Sequence, residues 1–374
     1  MASNPYAGMA WMHMQLVVGL RRLGHDAYYF EVTSSWPYDP VRETHVCDSD
    51  YAVPYLARVA DSFGLGGRWA YRRNFSDRAW FGMERRQAED LLADADAVFN
   101  VTGSTFPDKD GFEAHRLVYF GTDPVGHEIA FSQGDEGVRA LLASHHDCVT
   151  YGENIGNPDC PIPPLPRLRA RTRQPVLLDL WESGSPTKPE FTTVGNWKQQ
   201  GSDIVFNGET YYWSKHHEFL KFLDAPRLAG TPVELATTPD SDVTSLLESH
   251  GWKTANAHEF TTDPWRYRDY VCASRGEFTV AKDQNVRLRS GWFSERSACY
   301  LAAGRPVITQ DTGFGCALPT GEGLFAFNTM EEVLAAFEAV NSDYERHSRA
   351  ARAIAETYFR AETVLAKLLD DLGF

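Results

Sequence analysis

Residues 290–314 hold the densest run of side chains suited to phosphate chemistry. They read Ser-Gly-Trp-Phe-Ser-Glu-Arg-Ser-Ala-Cys-Tyr-Leu-Ala-Ala-Gly-Arg-Pro-Val-Ile-Thr-Gln-Asp-Thr-Gly-Phe. Gly291 opens a tight loop, and Ser294 suits an N-cap because its hydroxyl can accept from first-turn N–H groups. Ala298, Leu301 and Ala302 give the following helix one apolar face. Gly304 and Pro306 stop it, and Val307-Ile-Thr309 is a β-branched strand ending at Asp311-Thr312-Gly313. A helix start behind a glycine offers unpaired N–H groups and about half a positive charge, a seat for an anion such as phosphate. An ordinary loop–helix–strand crossover would have the same pattern, so the rest of the chain has to decide between them.

The elements that would position this segment alternate strand and helix. Leu16, Leu20 and Leu23 recur at helical spacing within Met9–Leu23, and Ala27–Val32 reads as a strand. Residues 33–86 form a Trp-, Tyr-, Gly- and Arg-rich insertion with helical character near Tyr51–Phe63. Gln87–Asp94 is helical, Ala97–Val101 and Leu117–Phe120 are strands, Gly134–His145 is helical and Cys148–Thr150 is a strand. Pro158–Pro175, crowded with proline and arginine, reads as a linker. The alternation then restarts. Val176–Leu180 is extended, Phe191–Val194, Val233–Ala236 and Glu277–Ala281 are strands, and Ser214–Leu223 and Val243–His250 are helical. Glu331–Val340, Asp343–Tyr358 and Glu362–Leu372 close the chain as helices. Parallel β-α units carry ligands on the loops after their strands. The expected layout is an N-terminal domain over 1–160, a linker over 161–175, a second domain over 176–355 and a returning helix over 356–374. A nucleotide-binding domain normally starts with a strand before its first helix. Residues 1–7 do not read as one, so that strand is expected to be absent or to lie upstream of Met1.

Composition excludes several classes. The net charge of −15 argues against nucleic acid, whose binding rests on neutralising phosphates. The arginines at 68, 72, 73, 78, 85 and 86 read as a solvated face paired with neighbouring acids. No apolar run approaches the ~20 residues of a membrane span, and the N-terminus lacks a signal-peptide pattern. A cytoplasmic location is expected. Six scattered cysteines without a Cys-x-x-Cys pair indicate neither a disulfide framework nor a zinc site. The triplets Asp48-Ser-Asp50, Asp108-Lys-Asp110 and Asp240-Ser-Asp242 could each hold a divalent metal, but none follows a strand, so no catalytic metal is expected. No P-loop, nucleophile elbow or metal-type histidine pair occurs.

The segment 291–308, followed by Gln310-Asp-Thr-Gly313, resembles the donor site of the GT-B glycosyltransferases. Gly8-Met-Ala-Trp11 with Gly19-Leu-Arg-Arg-Leu-Gly-His25 is similar to the first glycine loop and helix of that fold. Thr122-Asp-Pro124, Tyr151-Gly-Glu-Asn154, Val194-Gly-Asn-Trp197 and Tyr211-Tyr-Trp-Ser-Lys215 resemble a bacterial group-1-type subgroup. The resemblance implies two Rossmann-like domains facing across a cleft, with the C-terminal helix packing back on the first. It implies a nucleoside-diphosphate sugar as co-substrate, a small-molecule or glycan acceptor and no other cofactor. Retaining members carry two glutamates eight apart, and here Gly291 and Cys299 stand at those positions, which leaves the stereochemical outcome open.

Carried onto this chain, the resemblance gives Gly291, Phe293 and Ser294 as backbone donors to the diphosphate. Arg296, Lys282 and Lys215 are the cations that offset its charge. Asp311, Thr312 and Gly313 would meet sugar hydroxyls, and Glu295 the ribose; turn capping and the helix dipole are their plainer alternatives. Gly8 and Trp11 fall on the acceptor side, His13 stands near the place of a general base, and Asp123 could orient that histidine or bind the acceptor. Two other classes stay open: a sugar-nucleotide epimerase of the same fold, and a non-catalytic binding protein.

Overall fold

The structure, a computed structural model, describes residues 1–111, 113–199 and 201–374. The first half opens with helix α1 (Ala7–Arg22), whose inner face buries Ala7, Ala10, Trp11 and Met14. Strand β1 (Tyr29–Thr33) pairs in parallel with β2 (Trp69–Arg73), which pairs in antiparallel with β3 (Trp80–Phe81). A separate, fully parallel sheet contains β4 (Val98–Val101), β5 (Leu117–Gly121), β6 (Asp147–Thr150) and β7 (Leu168–Arg171). Helix α2 (Gly126–Ser132) follows β5.

β7 lies inside the stretch read as a linker. Ala170 faces the core while Arg169 and Arg171 point outward, so the alternation is there, but its outward positions are all arginine. Those arginines are occupied: Arg169 pairs with Asp147, Arg171 donates to the Ile155 carbonyl, and Arg173 pairs with Glu153. Four arginines of the 33–86 insertion likewise meet acids, Arg68 with Asp26, Arg73 with Asp77, Arg85 with Glu89 and Arg86 with Asp90, whereas Arg72 donates to Asn74 and to the Asp110 and Gly111 carbonyls.

The second half is built on one six-stranded parallel sheet. Its first strand is β8 (Phe191–Val194). A projecting hairpin, β9 (Ile204–Phe206) and β10 (Glu209–Tyr211), comes next in the chain. The sheet continues with β11 (Val233–Thr237), β12 (Trp252–Asn256), β13 (Gly276–Thr279), β14 (Val307–Gln310) and β15 (Leu324–Phe327). Across the sheet the order is β12-β11-β8-β13-β14-β15. This is the doubly wound order 3-2-1-4-5-6, which reverses between β8 and β13. Ligands of open α/β sheets bind beyond the carboxyl ends of the strands at such a reversal. Helix α3 (Glu295–Ala302) stands between β13 and β14.

The chain crosses between the halves twice, and the two crossings run side by side. Val176 N–H donates to the Phe359 carbonyl at 2.7 Å, and Ala361 N–H donates back to Val176 at 3.0 Å. Val176–Leu180, expected to be extended, instead turns into a short 3-10 segment at Leu178–Trp181. Beyond the second crossing, helix α4 (Ala361–Leu372) returns to the first half, as the resemblance implied. There Ala361, Leu365, Leu368 and Leu372 share a core with Leu16, Val118, Phe120 and Val149. Gly19 lets α1 and α4 touch, because a Cβ there would stand 2.5 Å from Leu365 Cδ1. Gly19→Val should therefore cost about 1–3 kcal/mol by overpacking, read as a lower denaturant midpoint with an unchanged slope.

Candidate functional site

The carboxyl ends of β8 and β13 bring four charged side chains together. Lys282 lies three residues beyond β13 and is almost buried. Its ammonium stands 3.1 Å from the centre of the Trp213 ring and forms an ion pair with Asp123 of the first half. Burial lowers the Lys282 pKa, although Asp123 opposes the shift. Lys215, in the turn after β10, points its ammonium at the Trp292 ring 5.7 Å away. Desolvation, then the charges of Arg296 and Lys282, push Lys215 down to about 7. Trp292 in turn donates its indole N–H to the Thr122 carbonyl at 3.0 Å. The loop Thr122-Asp123 at the end of β5 thus faces Lys282, Lys215 and Trp292 across the cleft between the halves.

Arg296 belongs to the floor beneath these lysines. Its Nε donates to Glu277, its Nη1 to the Val194 carbonyl at 2.6 Å and its Nη2 to Thr279 Oγ1 at 2.9 Å. Glu277 is fully buried. A guanidinium that binds two strand ends and a buried carboxylate fixes the first turn of α3 against the sheet. Removing it would leave Glu277 as an uncompensated buried charge.

The glycine loop has a second partner, one to which the sequence assigned no role. Gly291 has φ +77°, and a Cβ there would stand 2.3 Å from the backbone nitrogen of Asn154. Asn154, from the loop after β6, is 1% exposed. Its N–H donates to the Ser290 carbonyl and its side-chain amide to the Arg289 carbonyl at 2.8 Å. Gly313, with φ +86°, flanks the same amide. Both glycines admit a neighbouring backbone, so the first half is keyed into the loop that precedes α3.

The remaining predicted residues are distributed around this key. Ser294 occupies the N-cap of α3, but its hydroxyl makes no capping bond. Phe293 is buried against Phe314 and Phe359. Glu295 turns toward α1, accepting from Gln15 at 2.9 Å and from the Cys299 thiol; burial pushes it up to about 7. Gln15 accepts in turn from Leu177 N–H and the Trp181 indole, tying α1, the crossing and α3 together. It sits beside the apolar repeat of α1, and a polar side chain at the edge of a buried face was the available signal. Asp311 caps Gly313 N–H at 2.8 Å and pairs with Arg289. Thr312 is buried, its hydroxyl donating to the Trp292 carbonyl at 2.5 Å.

On the acceptor side, Gly8 lies in the first turn of α1 with open space where a Cβ would be. Trp11 is fully buried, packs on Phe63, Trp181 and Trp265, and donates to the Pro264 carbonyl at 2.9 Å, fastening the halves. His13 bonds the Met9 carbonyl within its own helix and meets Tyr29 edge-on; burial pushes it down to about 4. Among the described residues no hydrogen bond or ion pair joins His13 to Asp123. The three Asp-x-Asp triplets do not converge either. Asp48 pairs with Arg42, Asp240 caps a helix, and Asp110 accepts from Ser34, Asn74 and Phe106; the side chain of Asp108 lies outside the described residues.

Two facing Rossmann-like domains, with a final helix returning to the first, define the GT-B class of fold. Solved structures agree with that assignment. A glycosyltransferase from Rickettsia africae superposes with a TM-score of 0.55 at 11% identity, covering 97% of this chain and 94% of that one. Anabaena HepE, in complex with UDP and glucose, gives 0.54 at 12% identity over 98% and 95%. Sucrose-phosphate synthase from Thermosynechococcus elongatus gives 0.50 at 10% identity over 96% and 92%. No family model and no curated protein matches the sequence. No helix among the described residues is long and apolar enough to cross a membrane.

Proposed function

We propose that this protein transfers a sugar from a nucleoside-diphosphate sugar to a hydroxylated acceptor, in the cytoplasm. The observation that carries the reading is the placement of Lys282 and Lys215 at the reversal of the parallel sheet, opposite Asp123 across the cleft. Two lysines at a strand-end crevice suit a diphosphate, and the solved relatives of this fold include a complex with UDP and glucose.

In this reading the diphosphate takes Lys282 away from Asp123. The released carboxylate then accepts the proton of the acceptor hydroxyl. The acceptor oxygen forms the new bond to the anomeric carbon, and the bond from that carbon to the phosphate oxygen breaks. Its electron pair leaves with the nucleoside diphosphate, and the two ammonium groups stabilise the departing charge. Charge relief is assigned to lysines rather than to a metal. Arg296 holds the floor, His13 is a structural member of α1, and Asp123 has the base role. Loss of transfer in Asp123→Asn with UDP binding retained would support that role, whereas turnover within a few-fold of wild type would remove it.

The low pKa of Lys215 gives the binding step a pH dependence. A bound diphosphate favours the charged ammonium, so above pH 7 binding must take up a proton. UDP affinity should therefore fall as pH rises from 7 to 9, by at most about tenfold per unit. Lys215→Met should weaken binding and flatten that slope. Titration calorimetry in buffers of different ionisation enthalpy measures the uptake directly.

A further inference from the structure

The loop that presents Asp123 contains a backbone conformation its sequence does not favour. Val125, two residues beyond Asp123, has φ 99° and ψ −54°. Positive φ is uncommon for any residue other than glycine, and for a β-branched residue it is a genuine outlier. Such outliers cost about 1–3 kcal/mol and persist where surrounding structure over-determines them. Two contacts do that here. The Val125 side chain is fully buried in a cluster with Ile129 and Ile155 of the first half and Tyr211 and Leu288 of the second. Its backbone N–H donates to Glu128 Oε2 at 2.8 Å.

Glu128 is an unusual residue to find there. It lies in the first turn of α2, is 2% exposed, and its second oxygen is buried without a hydrogen-bond partner. Burial pushes its pKa up to about 7. No salt bridge reaches it among the described residues; its carboxylate meets its own backbone N–H and, from outside the residue, the N–H of Val125. A carboxylate accepting from a backbone N–H makes a stronger bond than a neutral acceptor, which gives a reason for the cost of burying it. The strained turn it holds has functional ends on both sides. Thr122 offers its carbonyl to Trp292, and Asp123 offers its carboxylate to Lys282.

We propose that Glu128 is a positioning residue, whose bond to Val125 locks the strained turn that aims Asp123 at Lys282 across the cleft. The significance for transfer rests on the reading of Asp123 as the base, but the lock itself is testable without any ligand.

The test is acylation of Lys282 with acetic anhydride, quantified by peptide mass spectrometry, in the wild type and in Glu128→Ala, Glu128→Gln, Val125→Gly and Glu128→Ala/Val125→Gly. Each variant is also assayed with UDP-glucose. Losing the lock should let Asp123 swing away, so Glu128→Ala should label Lys282 at least about fivefold faster, in line with release of one strained residue. Glycine adopts positive φ without strain, so adding Val125→Gly should bring labelling back to within twofold of wild type. Glu128→Gln keeps an acceptor oxygen and should also stay within twofold.

Labelling of Glu128→Ala within twofold of wild type would overturn the proposal, as would failure of glycine to restore protection. If Glu128→Ala does not fold, the double variant decides: wild-type protection of Lys282 supports the lock, and lost protection overturns it. With UDP-glucose, Glu128→Ala should lower kcat with KM nearly unchanged, and the glycine should restore kcat. Absence of binding by UDP, GDP, dTDP, CDP and ADP alike in the wild type would sink the glycosyl-transfer reading while leaving the labelling result intact.

Discussion

Replacing Lys282 by methionine is expected to weaken UDP binding by about 10- to 100-fold, from the loss of charged hydrogen bonds worth about 1.5–3 kcal/mol. Methionine is one atom shorter but keeps the unbranched apolar stem beside Trp213, so the fold should survive. The opposite change should move binding the other way. Lys282 pairs with Asp123 in the protein described here, and a diphosphate must compete with that carboxylate. Asp123→Asn weakens the competitor, so UDP should bind several-fold more tightly while transfer is lost. Opposite signs from two neighbouring substitutions would be hard to obtain from general destabilisation. Because the Lys282 ammonium stands 3.1 Å from the Trp213 ring centre, UDP binding should also change tryptophan emission, and Trp213→Phe should remove most of that change.

The second large effect concerns Gly291. An alanine there meets two obstacles, a φ of +77° and the backbone nitrogen of Asn154 at 2.3 Å. The strain and the overpacking each cost about 1–3 kcal/mol. Together they should lower the unfolding temperature by about 10 °C, taking a few degrees per kcal/mol for a domain of this size. Asn154→Gly should not rescue Gly291→Ala, because the closest clash is with the backbone of residue 154 rather than its side chain. Differential scanning calorimetry of the three variants checks both statements. Full rescue would mean that the side chain of Asn154, and not the approach of its backbone, sets the requirement for glycine.

Much of the scaffold could be read from the sequence because it rests on local signals. Phe191–Val194, Val233–Thr237 and Val307–Gln310 are short β-branched or apolar runs between turn residues, and they became strands of the parallel sheet. Gly304 and Pro306 ended α3 as their backbone limits require. The returning helix was legible through the family resemblance. Elements without a periodic apolar pattern were missed. β7 hid among prolines and arginines, and β2 lay in an insertion whose aromatic and basic residues masked Trp69, Ala70 and Tyr71 as core positions.

The site was legible at the level of residue types and much less so at the level of partners. Lys282, Lys215 and Asp123 were all singled out, and the structure gathers them. Their mutual arrangement depends on bringing residues 123, 215 and 282 together across two domains, which no local pattern encodes. The same limit applies to Arg296, whose sequence setting suits a phosphate ligand equally well. Three long-range partners, Val194, Glu277 and Thr279, brace it against the sheet. Gly291 was read as a backbone donor to the diphosphate, but its N–H donates to the Thr312 carbonyl at 2.7 Å and what approaches it closely is the Asn154 backbone.

Sugar transfer by this fold requires that the crevice between β8 and β13 receive a nucleoside diphosphate. Titration calorimetry of the wild-type protein with UDP, GDP, dTDP, CDP and ADP tests it most directly, with Lys282→Met and Lys215→Met as controls. Saturable binding of at least one of the five is expected at one site per chain, weakened in both lysine variants. Absence of binding by all five, or binding that both variants leave unchanged, would contradict it.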